Sequence, residues 1–374
     1  MVATAPSKIA GFQAEDMVRG VIREMPAYHA SRPQALPARL IRLDMNESPY
    51  GPSPKARAAL AAFDQTHRYP DFGQTRLRAA LSTYTGVPAE QIVAGAGLDD
   101  VFTTLMHLIV DPGDEIVISE PTFSVYRILA ALHAATTVDA PLGPGFDLDP
   151  DRVLAAITER TKLVIVCTPN NPTGNVLAEG AVARICAEAP CLVAIDEAYA
   201  EFAGTSYIPF LDRYPNVVVL RTMSKFAGMA GMRVGYGMFP TALVPHLHHA
   251  IPPFHNVGMA SVEATIASLD DLDHLRSVVA GIVADRDELT AQLAEIPGTT
   301  VFPSATNFLL VRLPVACATP IVQEMARRGV LVRSYPQPGL GLVDCLRVTV
   351  GTTEENEIFL RTLEETLRDG GEST

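Results

Sequence analysis

One lysine of the chain stands in company that suits covalent chemistry. In the run TMSKFAGMAGMR, residues 222–233, Lys225 lies between the hydroxyls of Thr222 and Ser224, and Arg233 follows eight residues later. The run before it, 216–221, is short, apolar, β-branched and bounded by Pro215, the pattern of a buried strand. A lysine presented just after such a strand, among apolar neighbours, loses hydration. Desolvation disfavours the ammonium and lowers its pKa, and the neutral amine is a nucleophile. Two hydroxyls and the planar donor fork of an arginine make a cradle for a phosphate. An amine beside a phosphate cup is what pyridoxal phosphate requires, one group for its aldehyde and the other for its tail. The competing reading of this stretch alone is a solvated lysine at a strand end, with Arg233 in a surface ion pair.

Other stretches carry chemistry of their own. GAGLDD, residues 95–100, follows a strand and opens a helix, so the amides of Leu98 and Asp99 are placed to bind phosphate. A dinucleotide fingerprint would want glycine at Asp100; the plain alternative is a glycine turn capped by Asp99. In EPTFSVY, residues 120–126, Phe123 or Tyr126 can stack on a flat heterocycle or simply pack in the core. PNNPTG, residues 169–174, reads as a turn whose side-chain amides, at a strand end, are placed to donate to a ring oxygen. Asp196 closes an apolar strand, where a carboxylate is either a cap or a buried anion awaiting a cation such as a pyridinium N–H. Tyr199, three residues on, can face the same ligand. Arg347 interrupts the apolar strand CLRVTVG, which demands either a structural ion pair or a substrate anion. His246, His248 and His249 have no carboxylate or cysteine at ligand spacing, so a helix end is expected there and not a metal site.

The elements that must position these residues follow from pattern. From about residue 90, strands at 91–94, 115–119, 163–167, 191–195, 217–221 and 234–238 alternate with helices at 98–110, 123–134, 150–159 and 179–189, the mark of a largely parallel α/β sheet. Ligands in such sheets sit at the carboxyl ends of the strands, where the residues above fall. Helices are also expected at 53–62 and 74–84, and a long one over 257–296 with a break near 268–273. Short strands (300–302, 306–311, 345–350) and helices (319–328, 354–367) then form a smaller α+β domain. Residues 1–24 read as an amphipathic arm, giving boundaries at 1–45, 46–256 and 257–374. The 374 residues are 48% hydrophobic, enough for two domains and against disorder. A net charge of −13 disfavours nucleic acid or an anionic membrane as partner, and no apolar run is long enough to span a bilayer. Five scattered cysteines without a CxxC pair, and no basic segment leading an apolar one at the start, fit the cytoplasm.

Together the segments LDMNESPYG, RYPD, GAGLDD, EPTFSVY, PNNPTG, DEAYAEF, TMSKFAGMAGMRVGYG and CLRVTVG resemble, in order, the fold-type I pyridoxal-phosphate aminotransferases, and most closely the histidinol-phosphate aminotransferase family. The resemblance implies a seven-stranded, mostly parallel sheet in a large domain beside a smaller α+β domain. It implies that Lys225 bonds the cofactor's aldehyde, Asp196 pairs with the ring nitrogen, Asn171 and Tyr199 hold the ring oxygen, and Phe123 stacks on the ring. Leu98, Asp99, Thr222, Ser224 and Arg233 would hold the phosphate, and Tyr69 would reach the phosphate site of a neighbouring subunit, making the active unit a homodimer. Tyr28, Arg333 and Arg347 would meet the substrate's anionic group, with Asn46 in the same pocket. Lys225, once displaced by the donor amine, would act as general base, with 2-oxoglutarate as acceptor in ping-pong order. An aromatic amino acid transaminase and a threonine-phosphate-type decarboxylase are the alternatives on the same scaffold. Leu98 for a small residue, Asp100 for the usual Glu, Phe123 for Tyr and an apolar 334–344 segment depart from the family pattern.

Overall fold

The structure, a computed structural model, describes residues 13–24, 37, 40–249 and 256–371. Tyr28, and Ile9 and Phe12 of the expected arm, lie outside the described residues. The strands in chain order are β1 (Ile41–Arg42), β2 (Ile92–Gly95), β3 (Glu115–Ile118), β4 (Thr136–Asp139), β5 (Thr161–Cys167), β6 (Leu192–Asp196) and β7 (Val217–Thr222). They continue with β8 (Gly235–Met238), β9 (Thr300–Val301), β10 (Phe308–Arg312), β11 (Val330–Leu331), β12 (Arg333–Ser334) and β13 (Cys345–Thr349).

Seven strands form one sheet in the order β2-β8-β7-β6-β5-β3-β4, parallel throughout except for the two pairings made by β8. Alternation along its central strands feeds two cores. Val164, Val193, Ile195, Val217 and Val219 point to one face, and Leu163, Ile165, Ala194, Val218 and Leu220 to the other. Both faces are covered by helices, which is why β5 to β7 read as continuous apolar runs. The edge strand β4 was not expected: its Thr-Thr-Val-Asp sequence buries none of its residues and shows no apolar face to read. The two-residue strands β11 and β12 are too short to display a period.

A second, antiparallel sheet runs β12-β13-β10-β9, and β1 pairs in parallel with β11 beside it. The long helical pattern is two helices, Met259–Leu269 and Leu272–Ala294, separated at Asp270 and Asp271 where the break was expected. The second of them joins one core of the large sheet to a third core under the small sheet. Leu275 and Ile282 pack with the large sheet, and Leu289 and Leu293 with β10 and β13. No helix among the described residues is long and apolar enough to cross a membrane.

Candidate active site

Lys225 stands three residues beyond β7, at the carboxyl edge of the large sheet. Its Nζ donates to the carbonyl of Met45 at 3.0 Å and lies 6.0 Å from the centre of the Tyr199 ring. The side chain is half-buried, and burial pulls its pKa down to about 8. The positive charge of Arg347 pushes the same way, and Glu47 and Asp99 oppose it. Near neutral to mildly basic pH a sizeable fraction of this amine is therefore uncharged.

Topology brings the residues expected to hold a phosphate to one place beside it. Gly235 on β8 pairs with Gly95 on β2 and with Thr222 on β7, so the start of helix Leu98–Ile109 comes next to the end of β7. A Cβ on Gly235 would sit 2.3 Å from the Leu98 amide nitrogen, and one on Gly97, whose φ is +93°, would sit 2.2 Å from Arg233 Nη2. Only glycine leaves room for the guanidinium and the first helical amides to converge. The hydroxyls of Thr222 and Ser224 are 3.0 Å apart at this point. Arg233 Nη2 lies 3.6 Å from Asp99 Oδ2. Asp99 is not the turn's cap. Asp100 takes that role, accepting from the Ala96 amide and from Asn256 Nδ2, both at 2.8 Å.

Asp196 ends β6 in full burial. One carboxylate oxygen accepts from the Tyr126 hydroxyl at 2.5 Å and the other from the Ala198 amide at 2.9 Å. Burial pushes its pKa up to about 6; the two donors hold it down, and Asp99 and Glu197 add to the rise. Among the described residues this carboxylate has no cation as ion-pair partner. Tyr199 is buried edge-on to Phe308, with ring centres 5.2 Å apart, and its hydroxyl accepts from Asn46 Nδ2 at 2.9 Å. Phe123 is partly buried, edge-on to Tyr126 at 5.5 Å, and one of its sides lines a cavity.

That cavity, about 1200 Å³, is lined by Asp44, Met45, Phe123, Asn171, Arg333 and Arg347 on one side and by apolar residues of 128–146 and 334–341 on the other. Arg347 is buried; its Nη1 donates to Asn171 Oδ1 at 2.7 Å and its Nη2 to the Asp44 carbonyl at 2.6 Å. Its Nε is buried with no hydrogen-bond partner among the described residues. Arg333 on β12 stands directly across from Arg347 on β13. Like charges opposite one another on paired strands repel.

The structure thus brings Asn171, Phe123, Arg333 and Arg347 to one cavity, and Lys225 to its edge through the carbonyl of Met45; Asp196 and Tyr199 are buried at and after the end of β6 and do not line it. Tyr69 is elsewhere, 84% exposed and off the cavity lining. Asn46 is buried and does not line the cavity; its side chain's partners are Tyr199 and Thr349. The sequence reading missed the hydroxyl that Tyr126 offers Asp196, and the carbonyls of Asp44 and Met45 that hold Arg347 and Lys225. The first could be inferred from an aromatic three residues after Phe123 at the start of a helix; backbone carbonyls leave no mark in side-chain identity.

The family model for aminotransferase class I and II matches residues 38–363. The chain is 47% identical over 336 residues to the histidinol-phosphate aminotransferase of Roseiflexus castenholzii, an alignment covering 87% of this chain and 90% of that protein. It is 36% identical to the chloroplastic histidinol-phosphate aminotransferase 1 of Arabidopsis thaliana, covering 94% of this chain and 86% of the relative. Among solved structures, histidinol-phosphate aminotransferase from Sinorhizobium meliloti in complex with pyridoxal-5'-phosphate superposes with a TM-score of 0.86 at 27% identity, covering 94% of this chain and 98% of the other. The chain therefore belongs to the class I and II aminotransferases of fold type I and, within them, to the histidinol-phosphate aminotransferase family.

Proposed function

We propose that the chain uses pyridoxal 5'-phosphate to transfer the amino group of histidinol phosphate to 2-oxoglutarate, yielding imidazole acetol phosphate and glutamate in histidine biosynthesis. One observation carries the reading: Lys225, an amine of lowered pKa, follows the hydroxyls of Thr222 and Ser224 at the same sheet edge where Asp196 ends β6, buried and with no ion-pair partner among the described residues. The residues fit the cofactor chemically. The cup of Leu98, Asp99, Thr222, Ser224 and Arg233 offers backbone amides, hydroxyls and a guanidinium to its phosphate. Asp196 offers an anion to its ring nitrogen, Tyr199 and Asn171 offer donors to its ring oxygen, and Phe123 offers a face to stack on. When bound, the cofactor supplies a protonated ring that withdraws electrons from the substrate's Cα.

The chain's own residues do the rest. Lys225 Nζ would hold the cofactor through its aldehyde and would be freed when the donor amine takes its place. Its neutral form then takes the proton from the substrate's Cα, a step worth about 10²–10⁴-fold in rate. Asp196 keeps the ring nitrogen protonated while this happens. Arg347, whose buried Nε has no partner among the described residues, and Arg333 opposite it receive the anionic end of either substrate, phosphate in one half-reaction and carboxylate in the other. The exposure of Tyr69, with Phe72 and Tyr50 also exposed, supports a homodimer in which Tyr69 completes the partner's phosphate site. Five free thiols suit a cytoplasmic enzyme.

A second reading, an aromatic amino acid as donor, draws on the apolar wall of Ile128, Leu142, Phe146 and Leu340. The test is kcat/KM for histidinol phosphate beside phenylalanine and tyrosine, with 2-oxoglutarate as common acceptor. Histidinol phosphate is expected to lead clearly. A clear lead for either aromatic amino acid would overturn the donor and leave the transaminase.

A further inference from the structure

Asn46 is one of the few non-glycine residues with a left-handed backbone, φ 53°. Asparagine tolerates that conformation better than most side chains, because its short amide bonds locally. The backbone here is pinned on both sides. Its N–H donates to Thr349 Oγ1 at 2.9 Å, and its carbonyl accepts from Asn307 Nδ2 at 3.1 Å. Thr349 ends β13, two residues beyond Arg347, and its own amide donates to Leu43.

These bonds also fix which way the side-chain amide faces. The Thr349 hydroxyl already accepts from the Asn46 N–H, so its proton is free to donate to Asn46 Oδ1, 3.3 Å away. That leaves Nδ2 to point at Tyr199, where it donates to the hydroxyl oxygen at 2.9 Å. The Tyr199 hydroxyl is thereby filled as an acceptor, and among the described residues it donates to no protein group. Its proton is left for a ligand. A hydroxyl that accepts one hydrogen bond donates a second more strongly, because the two polarise each other.

We propose that Asn46 is a positioning residue: its amide commits the Tyr199 hydroxyl to donating, and so sets the acidity of the cofactor bound at Lys225. The proposal rests on the cofactor reading above. The charged and titratable groups around Tyr199 are Arg347, Asp196, Lys225 and the buried Cys167 thiol, and none of them supplies this donor. Donation from Tyr199 favours the anionic form of the cofactor's ring oxygen. Weakening that donation favours the protonated form, so the pH at which the cofactor's absorption band changes must rise.

The test is a pH titration of that band in the loaded protein. Asn46→Gly keeps the left-handed backbone and removes the donor; it should move the transition up by about one pH unit. Asn46→Asp keeps the size but offers an acceptor to Tyr199 and adds a negative charge, so its shift should be larger. In a Tyr199→Phe background neither substitution should move the transition further. A titration unchanged in both single variants overturns the proposal, and so does a shift that persists without the Tyr199 hydroxyl. If Asn46→Asp fails to fold, Asn46→Gly alone decides. A wild-type protein that takes up no cofactor would instead overturn the reading on which the proposal stands.

Discussion

The carboxyl of Asp196, pushed up to about 6 against an ordinary 3.8, makes a signed prediction about stability. For an acid whose folded pKa is raised, no penalty exists below about pH 4, where folded and unfolded forms are both protonated. The penalty grows as pH rises from there to about 6 and then stays constant, at about 3 kcal/mol. In the cofactor-free protein, Asp196→Asn should therefore gain stability on the wild type between pH 4 and 6 and hold that gain at pH 8, in urea melts across pH. The same substitution should cut transamination sharply, since a neutral amide cannot hold a proton on the ring nitrogen. A stability difference that is flat with pH would show Asp196 to be paired already. At this scale the sequence was informative wherever an ionisable residue ended an apolar strand, as Asp196 and Lys225 do. It marked Tyr126 only as an aromatic that could stack or pack, and the bond its hydroxyl gives Asp196 was left to be inferred from its position.

The pairing of β12 with β13 sets the two arginines proposed to meet the substrate's anion side by side. Arg333 and Arg347 are register partners, but they are not equivalent. Arg347 is buried and tied to Asn171 and the Asp44 carbonyl, whereas Arg333 is only half-buried. Losing a charge-assisted hydrogen bond to a desolvated anion costs about 1.5–3 kcal/mol, roughly ten- to a hundredfold in kcat/KM. Arg347→Ala is expected to lose that much for both histidinol phosphate and glutamate. Arg333→Ala should impair the phosphate substrate more than glutamate, because a phosphate has more oxygens to satisfy than a carboxylate. Equal losses for the two substrates in Arg333→Ala would remove Arg333 from phosphate recognition. The long strands of the large sheet were legible because each is an apolar run. β11 and β12 were not, because two residues carry no period, and Arg333 could be tied to Arg347 only by resemblance.

Across the whole molecule, two cores meet on one helix, Leu272–Ala294, and the cavity opens where β1 and the segment after it cross from the small sheet to Lys225. That crossing was hard to read in the sequence, since it joins residues 44–46 to partners some 180 to 300 positions away. The exposed Tyr69 extends the account to a second copy of the chain. Mixing a Tyr69→Phe variant, impaired on its own, with inactive Lys225→Ala should restore activity as subunits exchange, because one site of each mixed dimer holds both native residues. A dilute monomer with full activity would rule the shared site out.

The central claim is that Lys225 carries the cofactor, and the chain's composition makes its test unusually clean. The sequence contains four lysines, Lys8, Lys55, Lys162 and Lys225. Lys55 bonds the Asp270 carbonyl, and Lys162 lies 3.9 Å from Asp114. Borohydride reduction of the protein loaded with pyridoxal phosphate, followed by peptide mapping, should place the reduced cofactor on Lys225 in near one-to-one yield and leave the other three unlabelled. Label on another lysine, or on none, would contradict the account.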